Sequence, residues 1–174
     1  MSGACVFTPK PLPVDRDALL AKAKNDALKL LSFRARSSSE LLKRLREKGY
    51  DTSVSEEVLT LFKKQRLIND EAFVEEFVRS RSLHGASGRR RLERDLKTKG
   101  LAPALISDAL AKVSPEEEAR QATEIAIRRQ ATFKSLPQAK QKQRLFGFLA
   151  RRGFSTDSIN VAFRKVFSTA IEQE

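Results

Sequence analysis

No tryptophan occurs in this chain, and cysteine and histidine appear once each, as Cys5 and His84. A single cysteine closes no internal disulfide, and one residue of each kind cannot assemble the Cys/His set of a structural zinc site. No apolar run approaches the roughly 20 residues of a membrane span. The opening MSGACVFTPKPLPVD has no apolar core long enough for a secretory signal peptide. Neither a GxxxxGK(S/T) phosphate loop nor a GxGxxG after a strand is present. The acids are scattered or gathered at helix starts. The nearest thing to a metal cluster, Asp70-Glu71 with Glu75-Glu76, reads as helix-start charge followed by a solvated face. No metal, cofactor or catalytic set is therefore expected. The chain reads as a cytoplasmic binding protein without a membrane partner, not as an enzyme.

What is present is positive charge, unevenly placed. Over 174 residues the net charge is +12. Residues 1–78 hold 14 basic and 12 acidic side chains, residues 79–152 hold 18 and 7, and residues 153–174 hold 2 and 3. The excess thus lies in the middle and third quarter of the chain, and such a localised field suits a polyanion or an acidic protein surface. An apolar content of 40% against 32% charged residues allows only thin cores. That balance fits an elongated helical protein better than a sphere.

Helical periods run through most of the sequence, and no segment alternates as a strand does. Residues 1–14, with Pro9, Pro11 and Pro13, read as an extended leader. Asp15 or Asp17 starts a first helix, Ser37 with Glu40 forms a capping box for a second, and Ser53 with Glu56 for a third. Asn69 or Asp70, Ser87, Pro103, Ser114-Pro115, Ser135 with Pro137, and Ser155 with Asp157 mark six more starts, giving nine helices.

An internal repeat organises them. Leu41, Leu45, Gly49 and Tyr50 match Leu92, Leu96, Gly100 and Leu101, and both match Leu145, Leu149, Gly153 and Phe154. The apolar pairs Val58-Leu59, Ala109-Leu110 and Ala162-Phe163 follow in step. Three helices with their turns fill this period, so the expected fold is all-α, in three tandem three-helix repeats. Their expected extents are 15–68, 69–113 and 114–174, the last including a C-terminal tail. The matched positions are core and helix ends. Binding residues should therefore be the cations between them on the middle helix of each repeat, which would form one basic surface if the units stack.

The most charged of these helices lies in Ser87–Gly100, SGRRRLERDLKTKG. Leu92 and Leu96 share one apolar face, with Arg90, Arg94 and Lys97 opposite. Arg89 with Glu93, Arg91 with Asp95, and Asp95 with Lys99 are spaced to pair at i,i+4. Arg90 and Arg94 have no acid one turn away. An unneutralised stripe disfavours the helix by a few tenths of a kcal/mol per like-charge pair, which points to a negative partner outside it.

Three stretches, FRARSSSELLKRLREKGYD (33–51), LINDEAFVEEFVRSRS (67–82) and GRRRLERDLKTKGL (88–101), resemble the motifs of the RecX family of RecA regulators. KQRLFGFLARRGFSTDSI (142–159) resembles the third-repeat motif more loosely. The resemblance covers about 17 to 170. It implies tandem three-helix units in an elongated, curved arrangement. It further implies a protein that binds the RecA–DNA filament, inhibits its ATPase and strand exchange, and so regulates recombination, DNA repair and the SOS response. Arg36, Asp70, Arg79 and Arg81 match charged motif positions, Asp70 being read as a cap. The residues expected to meet filament or DNA backbone are Arg79, Arg81, Arg89, Arg90, Arg94, Lys97, Lys142, Arg144, Arg151 and Arg152, on a monomer. The alternative is an independent module binding single- or double-stranded DNA without sequence specificity. A helix-turn-helix base reader fits less well, because no helix carries the Asn/Gln/Arg mixture that reads base edges.

Overall fold

The computed structural model describes residues 15–82 and 87–168, and these hold nine α-helices and no strand. They are α1 (Arg16–Phe33), α2 (Ser38–Glu47), α3 (Thr52–Lys64), α4 (Asp70–Ser80), α5 (Arg89–Thr98), α6 (Pro103–Ala111), α7 (Pro115–Gln130), α8 (Gln138–Arg151) and α9 (Thr156–Ser168), with a short 3-10 turn, Ala131–Phe133, after α7. The expected leader, Cys5 and His84 lie outside the described residues.

Three apolar cores form, each from three consecutive helices. Ala23, Leu41, Leu45, Val58 and Phe62 centre the first. Val74, Leu92, Leu96, Ile106 and Leu110 centre the second. Ala122, Leu145, Leu149, Phe154 and Ile159 centre the third. All six leucines of the repeat, at 41, 45, 92, 96, 145 and 149, are fully buried. The glycine that follows each pair takes a left-handed conformation, φ +91° at Gly49, +69° at Gly100 and +82° at Gly153. The next amide then turns back to the leucine carbonyl, Tyr50 to Leu45 at 3.2 Å, Leu101 to Leu96 at 3.4 Å and Phe154 to Leu149 at 3.3 Å. This is the Schellman closure: it satisfies orphan carbonyls and drops an apolar side chain into the core.

The described residues fall into two compact units. Those up to Arg36 join Leu41–Ile68, and Ser37–Glu40 join those from Asn69 onward. The short segment 37–40 belongs to the second unit because its polar groups are spent there. Ser37 Oγ donates to the Lys99 carbonyl at 2.6 Å and Ser39 Oγ to the Gly100 carbonyl at 2.8 Å. The Ser38 amide donates to Asp70 at 2.8 Å, and Lys99 Nζ reaches Glu40 at 3.1 Å.

Most helix starts are as expected. Asp15, Asn69 and Ser114 accept from the first-turn amides of α1, α4 and α7. The Ser37/Glu40 capping box forms in both directions, at 3.1 and 3.4 Å. Two expectations fail. Asp51, not Ser53, caps α3, accepting from the Val54 amide at 2.8 Å; an ionised oxygen is the stronger acceptor for a first-turn N–H. Gly88, not Ser87, is the N-cap of α5, with no side-chain cap. A Cβ at Gly88 would collide with the backbone of Gly153 and Phe154, so close packing overrides side-chain capping there. Asp70 is a cap, but for the α2 amide of Ser38 rather than for its own helix.

Candidate nucleic-acid interface

Burial of Leu92 and Leu96 fixes the rotation of α5 and leaves Arg89, Arg90, Arg94 and Lys97 exposed. Arg90 and Arg94 have no ion-pair partner among the described residues. Lys97, expected on the same unpaired stripe, is bound to Glu93 at 2.7 Å, and that hydrogen bond lowers the Glu93 pKa from its ordinary value. Arg91 pairs with Asp95 at 3.8 Å as its spacing predicts. Lys99 does not take Asp95. It reaches Glu40 and lies over the rings of Phe73 and Phe77, 5.7 and 5.4 Å from their centroids. Glu93 thus goes to Lys97 rather than to Arg89, and Lys99 leaves the helix for a non-local acid, so the pairs that local spacing assigned are redistributed.

The N-terminus of α5 is closed to an external anion. The amides of Gly88 and Arg90 donate to the carbonyls of Arg152 and Gly153, at 2.9 and 3.1 Å. The Arg89 amide donates to Glu118 Oε1 at 2.9 Å. The same carboxylate accepts from the hydroxyls of Ser155 and Ser158, each at 2.9 Å, and is only 7% exposed. Its sequence position suggested charge for the start of α7. In the structure it bridges the starts of α5 and α9, where two helix dipoles favour an anion. No sequence signal distinguished Glu118 from its neighbours Glu116 and Glu117.

The remaining expected contact residues also lie in the second unit. Arg79 pairs with Glu76, one turn back on α4. Arg81 sits 5.3 Å from the Phe77 ring centroid. On α8, Leu145 and Leu149 are buried while Lys142, Arg144 and Arg151 are exposed. Lys142 lies 5.2 Å from the centre of the Phe167 ring and Arg144 6.0 Å from that of Phe133. Arg152 is half-buried, 4.8 Å from the centre of Phe148. The sequence reading missed Arg129, which lies over both Phe133 and Phe148, at 5.3 and 5.1 Å. The available signal was a run without acids, from Ile125 to Thr156.

These elements can bind an anionic surface. Among the described residues no group of three or more His, Cys, Asp or Glu is placed to hold a metal, and no helix is long and apolar enough to cross a membrane.

Models of the first, second and third three-helix domains of RecX match residues 23–60, 69–110 and 116–163. The chain is similar to the regulatory protein RecX of Mycolicibacterium smegmatis, 41% identical over 139 residues, covering 77% of this chain and 73% of that one. It is likewise similar to the regulatory protein RecX of Chlorobium limicola, 37% identical over 148 residues, covering 85% and 91%. The crystal structure of RecX from Lactobacillus salivarius shares the fold with a TM-score of 0.77 at 21% identity, covering 86% of this chain and 97% of that one. A second crystal structure of a regulatory protein RecX does so at 0.73 and 24%, covering 94% and 81%. With all three domain models matched in order on helices that bury the repeated leucines, the chain belongs to the RecX family of regulatory proteins.

Proposed function

We propose that this protein binds the RecA–DNA filament and inhibits its ATP hydrolysis and strand exchange, and so damps recombination. It works as a cytoplasmic monomer with no catalytic step of its own, through repeats taken as 15–68, 69–113 and 114–174. The observation that carries the reading is the Arg90/Arg94 pair on α5. Both are exposed and without an ion-pair partner among the described residues, on a helix whose neighbouring cations Arg91 and Lys97 are paired. Arg79, Arg81 and Arg89, exposed on the same repeat, add further positive charge. Lys142, Arg144, Arg151 and Arg152 supply a second basic region, suited to phosphates of the DNA.

Replacing Arg90 and Arg94 together by Ala tests it. Exposed and unpaired, they should change stability by no more than about 0.5 kcal/mol, yet the variant should bind the filament weakly and restore recombinase ATP hydrolysis. Leu96→Ala supplies the contrast, losing function only through a stability loss of about 2–5 kcal/mol for a buried leucine. A folded double-arginine variant that inhibits like the parent would remove α5 from the interface.

A further inference from the structure

Eight cations and no acid lie between Ile125 and Thr156. Three of them, Arg129 at the end of α7 and Arg144 and Arg151 on α8, line a cleft of about 430 Å³, within the ~300–1,000 Å³ of small-ligand sites. Arg129 lies there over the rings of Phe133 and Phe148 and Arg144 over that of Phe133, with Arg151 and Gln143 completing the lining. None of the three arginines has a carboxylate partner among the described residues. Cation–π contact at Phe133 and Phe148 offsets part of their mutual repulsion. An anion in the cleft would remove the rest.

Gly147 is a separate pointer. It sits inside α8, where glycine disfavours a helix by about 1 kcal/mol relative to Ala. Neither a left-handed φ nor a backbone approach calls for it, since an added Cβ would meet only the Arg151 guanidinium, Nη1 at 3.2 Å. A glycine here keeps the cleft floor open beneath Arg151.

We propose that this cleft binds one nucleotide of a single-stranded polynucleotide. Arg144 and Arg151 hold the phosphate, and the base lies against the layer formed by Arg129, Phe133 and Phe148. Guanidinium planes and aromatic rings both take the flat face of a base, and every base has one, so little sequence preference results. A duplex keeps its bases stacked inside and cannot enter. The inference deepens the nucleic-acid part of the reading above and rests on it, but it does not need the recombinase.

The test is fluorescence anisotropy with the full chain and a labelled oligothymidylate of about 20 nucleotides, longer than the footprint of one such site. Gly147→Leu keeps every charge and favours the helix, but fills the cleft floor. It should melt no lower than the parent and bind about tenfold more weakly, the scale of one lost base stack. Arg144→Lys with Arg151→Lys keeps the charge but loses the planar fork, and should also weaken binding several-fold. Parent-like binding by folded Gly147→Leu would overturn the cleft and leave diffuse electrostatics. Should that variant unfold, the lysine pair decides, and parent-like affinity there overturns the site. A duplex bound as tightly as the single strand would overturn the splayed base. Displacement by dTMP near the oligonucleotide's own Kd would assign a free nucleotide instead. Because the oligonucleotide is bare, a parent chain that does not bind it overturns this inference, while the ATPase assay with the α5 variant still judges the filament reading.

Discussion

Helices α2 and α8 hold the same place in their repeats, with the same buried leucine pair and the same left-handed glycine. Their cations are balanced in opposite ways. On α2, Arg44 pairs with Glu47 at 2.7 Å and Arg46 with Glu56 at 3.7 Å, and just past its end Lys48 pairs with Asp26 at 3.2 Å. Asp26 also accepts from the Tyr50 hydroxyl at 3.0 Å. On α8 no acid lies within the helix or in the thirteen residues before it, and Arg144, like Arg152 just past its end, leans on an aromatic ring. A repeat can therefore keep its apolar frame while its charge serves different ends. Arg44, Arg46 and Lys48 close upon their own unit, whereas no cation of α8 has a carboxylate partner among the described residues. Total charge alone would not separate the two, since Lys43, Arg44, Arg46 and Lys48 make α2 look as basic as α8.

The largest difference between the copies should appear at the helix-ending glycine. A Cβ at Gly49 meets nothing within 4 Å, so Gly49→Ala carries only the left-handed backbone cost of about 1–2 kcal/mol. A Cβ at Gly153 would run into the backbone and side chain of Arg91. Gly153→Ala should lose the Arg90 amide bond to that turn as well and melt well below Gly49→Ala. Equal melting temperatures would mean that the two turns are equivalent after all.

Next in size is Glu118, which accepts the amide at the start of α5 as Asp70 accepts that of Ser38 at the start of α2, but takes two serine hydroxyls as well. Removing its side chain leaves the Arg89 amide and two serine hydroxyls without their acceptor. Glu118→Ala should cost about 2–3 kcal/mol in urea denaturation, since an unsatisfied buried donor costs about 1–3 kcal/mol and some will find water. A change within experimental error would show the bridge to be dispensable.

Salt dependence sharpens the contrast in charge. Each phosphate neutralised on a single strand contributes about −0.7 to the slope of log affinity against log salt. Lys142→Ala with Arg144→Ala should make the slope shallower by about 1.4, two such contacts being lost. Lys43→Ala with Arg44→Ala removes the same charge from α2 and should leave the slope as in the parent. Equal changes would mean that α2 also meets the strand.

The smallest effect is in pH dependence, and it belongs to the first unit. Hydrogen bonds from Lys48, then Tyr50, lower the Asp26 pKa below its usual 3.8. The contribution of this pair is thus complete above pH 3.8 and fades as acid protonates Asp26. Burial, then the bond to Asp26, raises the Tyr50 pKa above 10.0, so its contribution is complete below that pH and fades in alkali. Asp26→Asn should flatten the acid limb of a stability–pH curve and shorten the alkaline one. An unchanged curve would show that the pair is screened into irrelevance at this partly exposed site.

The repeat was legible in the sequence because its causes are local. Leucines one turn apart face one way on any helix, and a left-handed turn selects glycine whatever surrounds it. The same locality explains why the Ser37/Glu40 box, the Asn69 and Ser114 caps and the Arg91–Asp95 pair could be read in advance. It also explains why Arg90 and Arg94 could be named as exposed once Leu92 and Leu96 were taken as core.

What tertiary structure alone decided are the places where two distant backbones meet. Gly88 displaced Ser87 as a cap because the Gly153 turn lies against it. Glu118 left the start of its own helix for those of α5 and α9, and Lys99 left Asp95 for Glu40. Arg129 joined Arg144 and Arg151 around two phenylalanines from a different helix. Helix periodicity fixes which way a side chain points, but a hydrogen bond or a cleft needs a partner at a distance the chain sets only by folding.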